Sequence, residues 1–292
     1  FGIVALIIGM RALPHSPRKS HGFDWQSALA SAATFGFGIG AIDSLGHGEA
    51  PLFYLSEAAI AVAAGIFLVR RQTGAASPLL PVDLLRIPIF SLSVCSSITS
   101  FCAQMAAFVA LPFYFTDHFG YSSVEIGLMI TPWPIAIAIV APIAGRLADR
   151  YPAGLLGGVG LVVFALGLGA LATLPAEATT FDIAWRMFLC GAGFGLFQSP
   201  NNRTMLAAAP RERSGGASGM LGTARLLGQT TGAALVALLL ARYPMDGTRY
   251  ALLVGVCFAL IGAALSTLRL SPAGARGAEA VRVSPGQRAK GE

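Results

Sequence analysis

Eight stretches of this 292-residue chain are each long and apolar enough to cross a lipid bilayer, and short polar segments separate most of them. A membrane-spanning helix needs ~20 mostly apolar residues. The stretches are 27–45, 51–69, 91–115, 124–145, 154–174, 183–208, 217–240 and 250–270. They are apolar on all sides, and a spanning segment must satisfy its own backbone groups in lipid. The sequence therefore predicts an all-α membrane protein.

The distribution of positive charge predicts the orientation of these helices. The net charge of +6 could indicate nucleic-acid binding, but charged residues make up only 12% of the chain, against ~25% in soluble domains. When the loops are placed alternately inside and outside, 16 of the 20 Lys and Arg residues lie inside. Only Arg242 and Arg249 lie outside, and Arg186 and Arg225 fall within helices. This asymmetry is the positive-inside pattern, so we expect a cytoplasmic C-terminus and no nucleic-acid partner.

The chain divides into five zones. Residues 1–26 are interpreted as the end of a truncated helix followed by a cytoplasmic loop, and 27–69 as a transmembrane helix pair. A Pro- and Ser-containing cytoplasmic linker, 70–90, has one interfacial turn predicted at 82–86. Six helices follow over 91–270, and the polar tail 271–292 is expected to be disordered.

Four pairs of glycines recur at a spacing of four residues, which lets helices approach closely in lipid. The pairs are Gly36 and Gly40, Gly154 and Gly158, Gly191 and Gly195, and Gly228 and Gly232. We expect them to pack against neighbouring helices.

A charged hexapeptide lies in the short turn between two of the predicted helices: Gly145-Arg146-Leu147-Ala148-Asp149-Arg150. The Asp149 carboxylate can accept hydrogen bonds from a helix N-terminus, and the arginines can form ion pairs across a moving interface. A positive-inside turn with an Asp cap would give the same residues without any role in gating.

This loop resembles the signature loop of the major facilitator superfamily. Tyr151-Pro152-Ala153-Gly154 departs from the family pattern after it, as the degenerate second copy of the loop generally does. Leu111-Pro112-Phe113-Tyr114-Phe115 and Ser214-Gly215-Gly216-Ala217-Ser218-Gly219 resemble the 14-helix drug:proton antiporters. Ser199-Pro200-Asn201-Asn202-Arg203 resembles the branch that exports quaternary ammonium and methyl viologen-type compounds.

The resemblance implies the C-terminal portion of a major facilitator transporter: the extra helix pair and the second six-helix bundle, with the first bundle missing. It implies proton-coupled efflux of hydrophobic or cationic drug-like molecules by alternating access, in the inner membrane of a bacterium. Protons, the substrate and the lipid bilayer would be the partners, with no cofactor and no metal. This chain alone would not support transport.

Two alternatives remain open at this stage. The chain could belong to an exporter of a metabolite or siderophore, or it could be a non-transporting membrane fragment. An enzyme is not expected, because the sequence has no HExxH, G-x-S-x-G or GxxxxGK[ST] motif.

The candidate gating residues are the loop residues Gly145, Arg146, Asp149 and Arg150, together with Arg225. Arg225 lies ~12 Å into its helix at a rise of 1.5 Å per residue. It could pair with an acidic group between the two bundles, or it could extend to the cytoplasmic headgroups.

The candidate substrate cavity draws on three helices. Helix 183–208 carries amide side chains toward its inner end, and the resemblance implies that this helix and 91–115 line the cavity. The candidates are Gln104, Phe108, Tyr114, Gln198, Asn201 and Asn202. Hydrogen bonding between helices and plain packing are the alternatives for them.

Trp133 is the third element of the predicted cavity. It stands between Pro132 and Pro134, which are expected to bend their helix. Its ring could hold an organic cation by cation–π attraction, or it could fill space beside the bend. No carboxylate lies at the midplane of 91–270, so this part of the chain shows no proton-coupling acid.

The topology can be tested by labelling cysteines from outside intact cells. We expect the loops at 46–50 and 175–182 to face outward and residues 70–90 to face the cytoplasm, because of the Lys and Arg asymmetry. A cysteine placed at Ser77 should therefore resist a membrane-impermeant thiol reagent, and one placed at Glu177 should react. Strong labelling at position 77 would contradict the predicted orientation.

Overall fold

The computed structural model describes residues 24–46, 49–72, 82–175, 177–210 and 213–270. Within them the chain is helical. The α-helices are α1 (Trp25–Gly46), α2 (Pro51–Gln72), α3 (Pro88–Phe119), α4 (Ser123–Ile130), α5 (Pro132–Leu147), α6 (Ala153–Ala172), α7 (Thr180–Ala208), α8 (Ser214–Arg242) and α9 (Gly247–Leu268), and a 3-10 helix lies at Val82–Arg86.

Helix α3 is the centre of the bundle. It packs against α7, α8 and α9, while α6 lies between α7 and α9 and α5 covers the other side of α7. Helices α1 and α2 form an antiparallel hairpin that contacts the bundle mainly through α1 and α8. The apolar cluster at the core of the bundle lies between α3, α5, α6, α7 and α9.

These helices confirm the predicted all-α membrane fold. Six helical segments of the described residues are long and apolar enough to cross a membrane. Helices α1 and α7 do not meet the same hydropathy criterion, but at 22 and 29 residues they are long enough to span ~30 Å. The predicted turn at 82–86 is a 3-10 helix, as expected. The expectations for residues 1–23, 73–81 and 271–292 lie outside the described residues.

The prolines at 132 and 134 interrupt the stretch predicted as a single helix over 124–145. Helix α4 ends at Ile130 and α5 begins at Pro132, which occupies the first helical turn, where its missing N–H is not needed. The Thr131 hydroxyl donates to the Gly127 carbonyl (2.7 Å) at the junction. The predicted bend is therefore a break between two helices.

Local capping fixes the ends of three helices on the predicted outer side. Helix α3 ends at Gly120, whose φ of 64° lies in the left-handed region that favours glycine. Ser122 with Glu125 starts α4, and Thr179 with Asp182 starts α7, each pair forming a capping box. Glu125 and Asp182 therefore serve helix starts.

Glycines set how closely the helices of the bundle approach. A methyl group built on Gly160 would lie 2.7 Å from the Gly193 carbonyl and 2.8 Å from the Phe197 nitrogen, both backbone atoms of α7. The predicted pairs behave similarly: Gly228 and Gly232 meet the backbone of α3 at 2.5 and 2.6 Å. Gly36 is the exception, with no neighbouring atom within 4 Å.

Polar contacts join the two ends of the α1–α2 hairpin. At one end, Arg71 bonds to Asp24 (3.2 Å), and the Ser27 hydroxyl followed by the Arg71 guanidinium lowers the pKa of Asp24 to about 2. At the other end, the Ser44 hydroxyl donates to the half-buried Glu57 carboxylate (2.8 Å). Such bonds between helices compensate polar groups in lipid.

Two glycine-to-alanine substitutions test the packing of α6 on α7. Gly160→Ala forces backbone atoms apart and should lower the free energy of unfolding by ~1–3 kcal/mol. Gly222→Ala in α8 meets no atom within 4 Å. It should be neutral or stabilise by up to ~1 kcal/mol through helix propensity. Thermal unfolding in detergent measures both, and equal effects would contradict the close contact.

Candidate functional site

A continuous chain of aromatic rings crosses the core of the bundle. Its members come from α3, α5, α6 and α7, and neighbouring ring centroids are 4.8–5.7 Å apart; in order they are Phe108, Trp133, Phe164, Phe194 and Phe101. Three of the four contacts are edge-to-face, the arrangement in which the positive edge of one ring meets the negative face of the next. The chain ties four helices together.

Two polar groups near one end of the aromatic chain have no hydrogen-bond partner among the described residues. One is the Trp133 indole N–H, which is fully buried beneath Phe108. The other is the amide of Gln104, one helical turn from Phe108 on α3; the residue is 8% exposed, and its amide atoms are not fully buried. Buried polar groups are nearly always hydrogen-bonded, so the Trp133 N–H calls for a partner from outside this set of residues, whereas the Gln104 amide is accessible to one.

The ring of Trp133 is not open to a cation. It is 0% exposed and lies between Phe108 and Phe164. This placement departs from the cation–π interpretation and favours the packing alternative, because the side chain has no exposed surface. The nearest candidate for a cavity surface is the half-buried Phe108.

The signature-like hexapeptide joins α5 to α6 and carries one ion pair. Asp149 Oδ1 accepts from Arg203 Nη1 of α7 (2.6 Å), and both side chains are about 60% exposed, at 61% and 62%. Asp149 therefore binds an arginine; helix capping, the other role that the sequence suggested for it, is not what this ion pair shows. Arg146 and Arg150 are exposed and form no ion pair with the described residues.

Asn201 lies in a buried hydrogen-bonded cluster on the predicted cytoplasmic side, not in a cavity. Its Nδ2 donates to Ser97 Oγ (2.8 Å) and to the Ser93 carbonyl (3.3 Å), and its Oδ1 accepts from Arg269 Nη1 (2.8 Å). Asn201 is 0% exposed. The cavity interpretation of this residue is corrected, because its amide is already saturated by α3 and the end of α9.

Arg269 is a buried cation without an acidic partner in the described part of the chain. It follows α9 directly and is 5% exposed. Its guanidinium donates to Asn201 Oδ1, to Ser93 Oγ (3.0 Å), and to the carbonyl and hydroxyl of Ser266. A guanidinium is protonated at all ordinary pH values, so a full positive charge is held here by neutral oxygens.

Arg225 is exposed on α8 and has no carboxylate partner among the residues described. Its guanidinium carbon lies 5.6 Å from the centroid of Phe101, the last ring of the aromatic chain. Both sequence alternatives, an acid across an interface and the headgroup region, remain compatible with this position. Arg186 instead bonds to Asp182 (3.1 Å) and stacks on Trp185 (4.5 Å).

The structure separates the other predicted cavity residues. Tyr114 stacks on His118 (4.6 Å) and lines a pocket of about 360 Å³ at the predicted outer end, with Asp246 and Arg249 at its rim. Gln198 and Asn202 are half-buried on α7. The predicted site is therefore three regions: the Gln104–Phe108–Trp133 group, the inner Asn201 cluster and the outer pocket.

The sequence interpretation overlooked Arg269, Ser93 and Ser97, which complete the inner cluster. The sequence analysis assigns Arg269 only to the positive charges of the inner loops. The sequence does contain an indication of the cluster, because Ser93 and Ser97 lie one helical turn apart on α3 and form a polar stripe on one face of a buried helix. A polar stripe of this kind predicts a polar partner on a neighbouring helix.

Asn201→Ala and Asn202→Ala form a matched pair for testing the inner cluster. Asn201→Ala removes the hydrogen bonds that Asn201 makes with Arg269 and Ser97 and leaves these buried groups without that partner. It should therefore lower the free energy of unfolding by ~1–3 kcal/mol. Asn202 makes no hydrogen bond to the described residues, so its alanine variant should stay within about 0.5 kcal/mol. Thermal unfolding with equal effects would contradict the cluster.

Comparison with known proteins identifies the family. The family model described as Major Facilitator Superfamily matches two overlapping stretches, 1–233 and 92–289. The chain is 53% identical over 272 residues to the uncharacterized transporter YebQ of Escherichia coli (strain K12). It is 30% identical over 186 residues to the multidrug resistance protein Stp of Mycobacterium tuberculosis (strain ATCC 25618 / H37Rv), and 26% identical over 235 residues to the riboflavin transporter RibZ of Clostridioides difficile (strain 630).

These similarities extend over most of the chain but over only part of each relative. They cover 92%, 64% and 80% of the chain, and 60%, 34% and 50% of the length of the three relatives. The apolar helices, the charged turn between α5 and α6 and the family match agree. The chain is an integral membrane protein that belongs to the Major Facilitator Superfamily.

Proposed function

We propose that this chain is the C-terminal portion of a 14-helix, proton-coupled efflux transporter that exports hydrophobic or cationic compounds. Helices α1 and α2 would be the extra pair of that branch, and α3–α9 the second bundle. The name of the multidrug resistance protein among the relatives supports an exporter. The basic inner loops support insertion in a bacterial inner membrane with the C-terminus in the cytoplasm.

The Gln104 amide beside the half-buried Phe108 is the observation that carries this proposal. It makes no hydrogen bond to the described residues and keeps a little exposure, at 8%, within an apolar and aromatic region. The Trp133 indole N–H lies beneath Phe108 and is fully buried, so it is not part of this surface. Ligand sites of membrane transporters combine such apolar walls with a few polar groups near the midplane. A substrate with an aromatic body and one hydrogen-bonding group fits this surface.

Arg225 sets a condition on cationic substrates. An exposed guanidinium beside the aromatic chain repels a cation, unless an acidic group neutralises it. No acid of the described residues does so. We infer that the acid comes from the opposing bundle of the complete transporter, and that the Arg225 pair forms in one of the two states of alternating access.

An exporter of a metabolite is the second candidate. A relative named as a riboflavin transporter supports it, because an isoalloxazine-sized ring would also fit beside Phe108. The two candidates differ in the range of compounds carried: a multidrug exporter should lower the accumulation of several unrelated dyes, and a metabolite exporter should act on one chemical class.

The proposal predicts the phenotype of two variants in a complete transporter that carries this sequence. Asp149→Asn and Arg225→Ala should each lower the turnover of ethidium efflux several-fold while apparent affinity changes little. The physical reason is that a charge paired in only one state shifts the balance between states. Efflux from loaded, pump-deficient cells, corrected for membrane abundance, measures both, and a protonophore should abolish the transport.

Two outer charges serve as matched controls for these variants. Asp117 and Arg242 are exposed at the outer ends of α3 and α8 and form no ion pair within the described residues. Asp117→Asn and Arg242→Ala should keep normal efflux. Unchanged turnover in Asp149→Asn and Arg225→Ala would leave both residues with only topological roles, and absence of dye efflux by the unmodified protein would refute the exporter.

A further inference from the structure

The end of α7 carries Arg203, which binds Asp149 of the signature-like loop, but the helix lacks a backbone hydrogen bond just before this end. Pro200 lies inside α7 and has no N–H, so it cannot donate the usual bond to the Leu196 carbonyl. The eight residues after it, 201–208, continue the helix beyond this missing bond. Arg203, the partner of Asp149, lies within them.

The exposed Arg203–Asp149 ion pair does not by itself hold this segment. Both side chains are more than half exposed. Exposed pairs contribute little, because solvent screens the charges and two long side chains lose conformational freedom. Met205 and Ala208 hold the segment by apolar packing, but orienting Arg203 also needs a stronger polar contact within residues 201–208.

Asn201 provides that contact. It is the first residue after Pro200, it is fully buried, and its amide reaches α3 through Ser97 Oγ and the Ser93 carbonyl. Arg269 then binds Asn201 Oδ1 at 2.8 Å, a hydrogen bond strengthened by the charge of the guanidinium.

The remaining bonds of Arg269 hold it in place. One bond reaches Ser93 Oγ on α3, and two reach Ser266, whose hydroxyl donates to the Gly154 carbonyl at the start of α6. We call Arg269, Asn201, Ser93 and Ser266 the arginine latch. It joins α3, α6, α7 and α9 at one end of the bundle.

We propose that Arg269 is a positioning residue for transport: through Asn201 it fixes residues 201–208 of α7, and so places Arg203 against Asp149. The expected effect on efflux rests on the proposed transport function. The mechanical part, a latch that orders the end of α7, follows from the contacts alone. An apolar residue in place of Arg269 would remove the buried charge and, with it, the contact that orders residues 201–208.

Hydrogen exchange tests the mechanical part without any transport assay. In the complete transporter, Arg269→Met should speed amide exchange in residues 201–208 on the order of tenfold, as expected for loss of one charge-assisted hydrogen bond. Exchange in α5, which contributes no residue to the latch, should stay unchanged. Arg249→Met, at the other end of α9, is the matched control and should leave both regions as they are. Unchanged exchange in 201–208 overturns the latch.

A double-mutant cycle tests the consequence for transport. If Arg269 acts through the Arg203–Asp149 pair, Arg269→Met should lower efflux turnover in the unmodified protein but add little in the Asp149→Asn variant. Arg249→Met should combine additively with Asp149→Asn. Fully additive effects of Arg269→Met, at equal membrane abundance, overturn the positioning role.

Arg269→Lys guards against a variant that fails to fold. This change keeps a cation that can donate to Asn201 Oδ1 and leaves the bonds of Asn201 to Ser97 and Ser93 in place, so exchange in 201–208 should be slower than in Arg269→Met, whereas Asn201→Leu should reproduce the Arg269→Met behaviour. Equal exchange in Arg269→Lys and Arg269→Met contradicts the latch. A protein that exports no dye but shows the expected exchange pattern refutes the proposed function and leaves the latch standing.

Discussion

Close backbone contact between helices is the constraint on which the rest of this bundle depends. Lipid removes the usual hydrophobic driving force between helices, so their association relies on tight packing and on hydrogen bonds. Gly160 and Gly193 bring α6 and α7 so near that a methyl group on either would lie within 2.7 Å of backbone oxygen. Gly228 and Gly232 bring α8 equally near to α3. These contacts set the distances over which every polar group of the interior must find a partner.

Polar contacts divide into two kinds with different energetic weight. The Asp149–Arg203 pair is exposed, which makes it cheap to open and close during a conformational change. The Arg269 cluster is buried, and breaking one of its bonds leaves a charge or amide unsatisfied, at a cost of ~1–3 kcal/mol. In the proposed transport cycle the exposed pair would change partners and the buried cluster would keep the helix ends in register.

The aromatic chain links the packing of the core with the candidate site. Its inner rings are fixed by edge-to-face contacts, and Phe108 at one end and Phe101 at the other adjoin the groups that lack partners, Trp133 Nε1 and Arg225. Arg225 is exposed and so accessible to a partner outside this bundle, whereas the Trp133 N–H is sealed within the core.

The sequence by itself determined the helical membrane fold, the bend near Pro132 and the charged turn at Asp149, because each follows from local composition: apolar length, absent N–H groups and loop charge. It also placed the glycine pairs, except for Gly36, in packing contacts. Only the tertiary structure decided which polar residues are saturated. Asn201 and Asn202 are neighbours of the same type, yet one is buried against α3 and Arg269 and the other is not, because helix rotation separates adjacent residues by about 100°. The burial of Trp133 and the partners of Arg269 were decided in the same way: both depend on which helices meet, and that is fixed by contacts between residues far apart in the chain.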